Sequence, residues 1–316
     1  MLYIGIDVGG TTAKAGIVDE SGQILAKAGC PTGIGRDFED IAADMVGLCR
    51  GLIRESGRNA AEFAAVGVGI PGQQDPRTGL VALCNNLGWV GVPLMARLHD
   101  GLGLPVSVDN DANAAALAES AFGASRGVGS SILVTLGTGV GGGVVLDGKV
   151  MSGAHGVGGE IGHMVVVVDG EPCHCGHRGC WEKYASATAL IRMGRELMGK
   201  KPGCALARQM GGDAAQLNAK AVLDLAKAGD EDCLGIFHTY VKYLCTGLAN
   251  IINAFDPDMV VLGGGVAHAG AFLLDAVRAA LGGYVYCPAL PYAQVELARL
   301  GNDAGIIGAA MLGRNL

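Results

Sequence analysis

One short pattern occurs twice in this sequence, and it constrains the fold more than any other feature. The first copy is an apolar run from Tyr3, a Gly-Gly-Thr-Thr turn at 9–12, a second apolar run, and a turn at 19–22. The second copy covers residues 132–150 and has Gly-Thr-Gly at 137–139 and Asp-Gly at 147–148. Glycine-rich turns between apolar runs predict strands joined by tight turns. Any α/β protein contains such turns, so the repetition alone only suggests a duplicated architecture.

The rest of the chain predicts helices that alternate with buried strands. Apolar residues recur at helical spacing over 37–56, which predicts an amphipathic helix. We expect strands at 65–70, 105–108 and 259–262, and helices at 112–121, across 217–255 with breaks, from about 270, and at 305–312. This alternation is typical of α/β layers with parallel strand pairing.

Composition and charge exclude several classes of protein. The chain has 316 residues, of which 50% are hydrophobic and 17% charged, so it can bury a sizeable core and is not a disordered chain. The net charge of −7 gives no reason to expect a nucleic-acid partner. The longest uncharged run, 127–146, is rich in Gly, Ser and Thr and predicts two strands rather than a membrane span. The first residues lack the basic region and cleavage site of a secretory signal, so we expect a cytoplasmic protein without membrane contact.

A group of cysteines and histidines in the middle of the chain indicates a metal site. Thiolates and imidazoles bind zinc tetrahedrally, and four protein ligands make a closed, structural site. Dense thiols can also serve redox chemistry or act as small buried residues, but the many turn residues here favour metal. His174 and His177 are alternative ligands that the spacing does not exclude. The predicted zinc ligands are His163, Cys173, Cys175 and Cys180.

Two carboxylates flank this metal loop, one on each side. Glu160 precedes His163 by three residues, and Glu182 follows Cys180 by two. Zinc prefers the thiolates and the imidazole, so both carboxylates remain for another ligand. Either of them alone could be a solvated surface charge, but the pair around one metal loop favours a binding role.

The first glycine turn has the features of a phosphate-binding loop. Glycines let the backbone approach an anion, and successive N–H groups form an anion nest. Asp7 at the strand end can hold Mg²⁺ through water. The spacing fits neither the P-loop nor the dinucleotide fingerprint. Residues 137–141 offer a second nest and 263–265 a third, although a chain with 54 glycines has many tight turns. Together the three turns predict a nucleotide held between two lobes.

These motifs together resemble the ROK family of sugar kinases and repressors. The resemblance rests on residues 7–12, 136–143, 160–163 and 173–182, and 71–72 with 85–89 resemble its bacterial glucokinase branch. It implies an α/β, actin-like or hexokinase-like (ribonuclease H-like) duplicated fold, with two lobes and a cleft between them. The implied domains are 1–111, joined by a helix at about 302–316, and 112–301 with the zinc loop. Repressor members carry a helix-turn-helix before the first loop, where this chain begins, so we expect no such role.

The resemblance also implies the catalytic residue. Asp111 would be the general base that accepts the proton of the attacking sugar hydroxyl, and Asn110 would hydrogen-bond the sugar. A helix N-terminus favours a charged carboxylate and so weakens it as a base, but phosphoryl transfer depends largely on positioning. The alternative is that Asp111 only caps the helix, a role that Asp109 could share.

The remaining implied roles divide between the sugar and ATP. His163 would bind zinc through one ring nitrogen and the sugar through the other, and the sequence does not tell which. The implied sugar-binding residues are Gly72, Asn86, Asn110, Asp111, Glu160, His163 and Glu182. The implied ATP-binding residues are Asp7, Gly10, Thr11, Thr12, Thr138, Gly139, Gly264 and Gly265.

The function that we expect is ATP-dependent phosphorylation of a hexose at its 6-hydroxyl, with glucose as the favoured substrate. Mg²⁺ would accompany ATP, and the zinc would be structural. The alternatives are a kinase for fructose, N-acetylmannosamine or N-acetylglucosamine, which would share every motif above, and a regulator that senses sugar without turnover. The family favours a homodimer or a dimer of dimers.

Overall fold

The computed structural model describes residues 1–315 as strands and helices joined by short turns. The strands are β1 (Leu2–Val8), β2 (Thr12–Asp19), β3 (Ile24–Pro31), β4 (Phe63–Ile70), β5 (Gln73–Gln74), β6 (Val81–Cys84), β7 (Trp89–Val92), β8 (Val106–Asn110), β9 (Ser130–Leu136), β10 (Val140–Leu146), β11 (Lys149–Val150), β12 (Met259–Gly263) and β13 (Gln294–Leu297). The α-helices are α1 (Phe38–Glu55), α2 (Leu94–Leu102), α3 (Asp111–Phe122), α4 (Glu182–Ala185), α5 (Ala187–Lys200), α6 (Ala205–Gln209), α7 (Ala219–Lys227), α8 (Glu231–Phe255), α9 (Ala271–Leu281) and α10 (Ala304–Arg314).

Two five-stranded sheets share one strand order. The first is β3-β2-β1-β4-β8 and the second is β11-β10-β9-β12-β13, so each places its third, second, first, fourth and fifth strands side by side. In the first sheet β1 pairs antiparallel with β2 and parallel with β4. In the second, β10 pairs antiparallel with β11, and β12 pairs parallel with β13. The repeated order confirms the duplicated α/β fold that the two sequence copies suggested.

The strands of the first sheet carry apolar side chains on both faces, and helices cover both of these faces. Ile4 and Ile6 of β1 belong to the same buried cluster as Met45 of α1 and Leu98 of α2. Tyr3, which points to the opposite face, belongs to the cluster formed with α3 and α10. Successive residues of a strand point to opposite faces, so one strand contributes to both cores.

Glycines let α10 approach the first sheet at backbone distance. A Cβ atom at Gly5 of β1 would overlap the carbonyl oxygen of Ile306, and one at Gly67 of β4 would overlap that of Ala309. On the other side of the helix, a Cβ atom at Gly308 would overlap the carbonyl oxygen of Ala114 in α3. A side chain at any of these three positions would push α10 away, so the close packing of the helix depends on glycine there.

Replacement of Gly308 by alanine is therefore expected to destabilise the protein. Overpacking a tight contact costs about 1–3 kcal/mol, and the neighbour here is backbone, which cannot rotate away. Urea denaturation should show the loss as a lower midpoint. Gly47→Ala is the matched control, because position 47 lies in α1 with no atom within 4 Å of its would-be Cβ. That change should raise stability by about 0.5–1 kcal/mol. Equal midpoints for the Gly308 variant and the wild type would contradict the close packing.

The described chain forms two compact units. The first contains residues 1–133, 143–159 and the chain from Arg299 onward, and the second contains 134–142 and 160–298. The sequence-based boundary at 111 differs from this division, because 112–133 and 143–159 lie with the first unit. The physical reason is that α3, which begins at Asp111, packs against α10 and β4.

A long buried helix organises the second unit. The helix α8 runs for 25 residues, and much of its length is buried. Trp181 is fully buried against it: its Nε1 donates to the carbonyl oxygen of Tyr243 at 2.8 Å, and its ring fills the space that a side chain at Gly247 would need. This contact fixes the end of the cysteine-rich loop that precedes α4. No helix among residues 1–315 combines the length and apolar composition of a membrane span.

Candidate active site and metal-binding loop

The turn between β1 and β2 presents two exposed threonines on a fixed backbone. The N–H of Gly9 donates to the carbonyl oxygen of Thr12 at 2.9 Å, which closes the turn. The fully buried Thr32 holds it from behind, with its Oγ1 donating to the carbonyl oxygen of Gly9 at 2.8 Å. The side chains of Thr11 and Thr12 are exposed. A glycine-containing turn that is held in place and exposes two hydroxyl groups is suited to an anion such as phosphate.

Asp7, near the end of β1 just before this turn, lies beside the N-terminus of α10. A Cβ atom at Gly305 would lie 2.6 Å from Cγ of Asp7 and 2.7 Å from its Oδ2. Burial raises the pKa of Asp7, and the charge of Lys14 across the strand pair opposes this rise. The absence of a side chain at 305 thus leaves room for the carboxylate at the strand end. No sequence motif predicted this contact.

Asn110, rather than Asp109, caps α3. Its Oδ1 accepts from the N–H of Ala112 at 2.8 Å and from that of Asn113 at 3.4 Å. Its Nδ2 donates to the carbonyl oxygen of Gly72 at 3.3 Å, so two of the predicted sugar-binding residues are in contact. Oδ1 of Asp111 also accepts from the N–H of Ala112, at 2.8 Å. The capping role considered for Asp111 is therefore largely filled by its neighbour.

Two further predicted sugar-binding residues lie beside the strands of the small β5-β6-β7 sheet. A Cβ atom at Gly72 would overlap the carbonyl oxygen of Leu83, so glycine is required where the chain passes β6. Asn86 is exposed in the turn between β6 and β7. A Cβ atom at Gly10 would lie 3.6 Å from Cβ of Asn86, which places this asparagine next to the first phosphate-type turn.

In the second unit, the turn between β9 and β10 is held by the start of α5. The N–H of Ala187 donates to the carbonyl oxygen of Gly137 at 2.8 Å, and Oγ1 of Thr188 donates to that of Thr138 at 2.7 Å. The side chain of Thr138 is exposed. Gly264 has a φ of 81°, and a Cβ atom there would lie 2.7 Å from the backbone of Leu136. The second and third glycine turns therefore lie together.

The four predicted zinc ligands converge. The ligand atoms of His163, Cys173, Cys175 and Cys180 all lie within 4.8 Å of one another. Sγ of Cys175 is 3.5 Å from Sγ of Cys180, and Sγ of Cys173 is 3.7 Å from Nδ1 of His163. A tetrahedral site with zinc–sulfur bonds of about 2.3 Å needs sulfur atoms about 3.8 Å apart. All ten cysteines are free thiols. The donor set and its spacing thus fit a structural zinc ion.

The alternative ligands His174 and His177 lie beside the group of four predicted ligands but are not part of it. Nδ1 of His174 lies 3.1 Å from Oε1 of Glu182, and these two residues form a second possible metal-binding group with Cys173. Nδ1 of His177 lies 3.6 Å from Sγ of Cys175. Burial opposes ionisation of the Cys175 thiol, but hydrogen bonds involving His177 and the neighbouring thiols outweigh it and lower its pKa to about 6. A thiolate is the form that binds metal.

The two flanking glutamates differ in their surroundings. Glu182 is buried, with Oε1 3.0 Å from Sγ of Cys173. A Cβ atom at Gly139 would lie 2.5 Å from its Oε2, so this carboxylate lies between the metal loop and the β9–β10 turn. Glu160 is exposed, and its Oε2 lies 4.0 Å from Nε2 of His163. His163 thus directs Nδ1 towards the thiols and Nε2 towards Glu160. The spacing of the motif did not predict the contact of Glu182 with Gly139.

The family is shown by comparison with known proteins. The model of the ROK family matches residues 3–315. The chain is 38% identical to a glucokinase of Thermotoga maritima, over 98% of this chain and 96% of that protein. It is 30% identical to an N-acetyl-D-glucosamine kinase of Haemophilus influenzae, over 98% and 99% of the two chains. This chain belongs to the ROK family.

The fold is shared with a solved member of that family. The crystal structure of a ROK family glucokinase from Streptomyces griseus, in complex with glucose and AMPPNP, matches with a TM-score of 0.84 and 37% identity, over 100% of both chains. The resemblance and the actin-like, hexokinase-like fold that the motifs indicated are confirmed.

Proposed function

We propose that this protein transfers the γ-phosphoryl group of ATP to the 6-hydroxyl of glucose. The protein is an ATP-dependent sugar kinase, as its full-length similarity to ROK glucokinases indicates. The observation that carries the choice of glucose is the 37% identity, over the whole of both chains, to a glucokinase whose structure contains glucose and AMPPNP.

In this proposal Asp111 is the general base. It accepts the proton of the 6-hydroxyl as the sugar oxygen attacks the γ-phosphorus and ADP leaves. Asn110, at the strand end beside Gly72, orients the sugar through its amide. Because phosphoryl transfer depends mainly on alignment and charge stabilisation, a carboxylate fixed at the start of α3 is well placed to orient the nucleophile.

The glycine turns bind the nucleotide. The hydroxyl and N–H groups of Thr11, Thr12 and Gly10 contact phosphates, as do those of Thr138 and Gly139, while Gly264 and Gly265 flank the adenosine. Asp7 holds the Mg²⁺ that accompanies ATP. Mg²⁺ keeps several waters and uses few carboxylates, and a single partly buried aspartate at the strand end fits that preference.

The sugar-binding set includes both glutamates, Gly72, Asn86 and His163. Zinc on His163 and the three thiols would be structural and would hold the loop that carries Glu182. Glu182 follows Cys180 by two residues, so a zinc ion that fixed Cys180 would also restrain the backbone that carries this carboxylate. We propose a cytoplasmic homodimer or dimer of dimers.

A substrate panel tests the proposal. Glucose, mannose, fructose, N-acetylglucosamine and N-acetylmannosamine would each be supplied with ATP and Mg²⁺, and ADP release would be measured. We expect the highest kcat/KM for glucose. Higher values for an N-acetylated hexose would support the second candidate, which the similarity to the Haemophilus influenzae kinase favours. Glucose binding without ADP release from any sugar would instead identify a non-catalytic sensor.

Gly139→Ala tests the link between the sugar-binding loop and the phosphate turn. The new methyl group would meet Oε2 of Glu182, which must move. Misplacement of a positioning group by about 1 Å can cost on the order of a hundredfold, so we expect KM to rise for both glucose and ATP. Steady-state kinetics with each substrate varied in turn would measure this.

Gly199→Ala is the control for Gly139→Ala. Position 199 lies in α5 of the same unit, and no atom lies within 4 Å of its would-be Cβ. Its kinetics should match those of the wild type. Wild-type KM values for both substrates in the Gly139 variant would refute the close packing of Glu182 on the turn.

A further inference from the structure

A carboxylate directly before the predicted catalytic pair ties three segments of the first unit together. Oδ1 of Asp109 accepts from Nδ2 of Asn113 at 2.8 Å and from the N–H of Asn110 at 2.6 Å. Its Oδ2 accepts from Oγ of Ser152 at 2.9 Å. Asp109 thus joins the end of β8, the first turn of α3 and the segment after β11.

The residue of α3 that bonds to Asp109 is Asn113, a buried asparagine held in one orientation. Asn113 is 1% exposed, and within residues 1–315 its Oδ1 has no hydrogen-bond partner. A buried acceptor without a partner is costly, and the bond that Nδ2 donates to the Asp109 carboxylate offsets part of that cost. That bond fixes the turn that carries Asp111 against the end of β8.

Ser152, which bonds to Asp109 and follows β11, begins a glycine-rich segment that leads to Glu160. Residues 152–159 contain four glycines, and Gly153 and Gly156 have φ values of 75° and 74°. The carbonyl oxygen of Ser152 accepts from the N–H of Gly158 at 2.8 Å, which closes the segment on itself. Glycine-rich backbone has much conformational freedom to lose, so a side-chain bond at its first residue restrains the whole segment.

We propose that Asp109 is a positioning residue for phosphoryl transfer. Its hydrogen bond with Asn113 holds Asp111 in position at the start of α3. Its hydrogen bond with Ser152 restrains the segment that leads to Glu160. It does not contact the sugar itself. The inference rests on the proposed function, since it concerns the roles of Asp111 and Glu160 there.

The test compares Asp109→Asn, Ser152→Ala and Ser152→Thr with the wild type. Loss of a hydrogen bond to a charged group is worth about tenfold or more in an equilibrium or rate. Asp109→Asn should therefore lower kcat at least about tenfold, because an amide cannot accept all three bonds. Ser152→Ala should raise KM for glucose by about tenfold with little change in kcat, and the hydroxyl of Ser152→Thr should restore the wild-type KM.

Calorimetric titration with glucose alone gives a second readout that needs no turnover. The dissociation constant should rise for Ser152→Ala in step with KM and return for Ser152→Thr. Asp100→Asn, an exposed carboxylate in α2, is the control and should match the wild type in all measurements.

Three results would overturn the inference. The first is unchanged kinetics and glucose affinity in both Asp109→Asn and Ser152→Ala. The second is a Ser152→Thr variant that behaves like Ser152→Ala. The third is a loss of activity in each variant that equals the fraction of its molecules that are unfolded. A wild type inactive on every hexose would refute the proposed function instead. The calorimetric comparison would still decide whether Ser152 restrains the sugar-binding segment.

Discussion

Asp111→Asn should lower kcat for glucose phosphorylation by about a thousandfold while glucose still binds. General-base catalysis by a positioned side chain is worth about 10²–10⁴-fold, and the amide has the same shape but cannot accept the proton. The variant keeps the helix start intact, because Asn110 supplies the cap of α3. The rate would be measured by ADP release at saturating glucose and ATP, and binding by calorimetry.

The matched control is again Asp100→Asn, which removes an exposed carboxylate of the same unit and should leave kcat unchanged. A near-normal rate in Asp111→Asn would show that another group takes the proton, and the base assignment would then fail. If glucose binding were lost together with the rate, Asp111 would act in binding rather than as the base.

Cys175→Ala should abolish zinc binding and weaken glucose binding more than ATP binding. Removal of one of four ligands opens the tetrahedral site, and the loop that carries Glu182 loses its restraint. Disruption of groups that orient a site typically costs about 10–100-fold, and we expect a loss of that order in glucose affinity. Elemental analysis would give the zinc content, and calorimetry both affinities.

Cys287→Ala removes a partly exposed free thiol outside the metal loop and serves as the control. It should keep full zinc content and both affinities. Unchanged zinc in Cys175→Ala, or equal losses of glucose and ATP affinity, would contradict the scaffold role. Treatment of the wild type with a chelator should reproduce the loss of glucose affinity.

Local sequence signals predicted the long elements well. The helix expected at 37–56 is α1 at Phe38–Glu55, and Asp37 caps it through the N–H of Glu39. The helical region expected at 217–255 is α7 followed by α8. These elements have strong periodicity and clear caps, so neighbouring residues alone determine them. The strands β5, β6 and β7 were not predicted, because strands of two to four residues are stabilised by pairing with one another.

Part of the geometry of the candidate site could be predicted. The convergence of three thiols within one short loop, joined by His163 from a second segment, followed from the sequence. The contacts of Asp7 with Gly305 and of Glu182 with Gly139 did not, because each joins segments that are distant in the chain. Side-chain direction and long-range approach depend on tertiary packing, which a single sequence does not reveal.

The close packing of α10 against glycines of the first sheet has a consequence for biosynthesis. On the ribosome β1 and β4 are translated well before α10, the helix that covers them. Until then one face of the nascent sheet exposes Tyr3 and Ala65, side chains that are buried once α10 is in place. Exposed apolar faces of incomplete domains are prone to aggregation, and chaperones bind them. This unit therefore cannot complete its packing until α10 has left the exit tunnel.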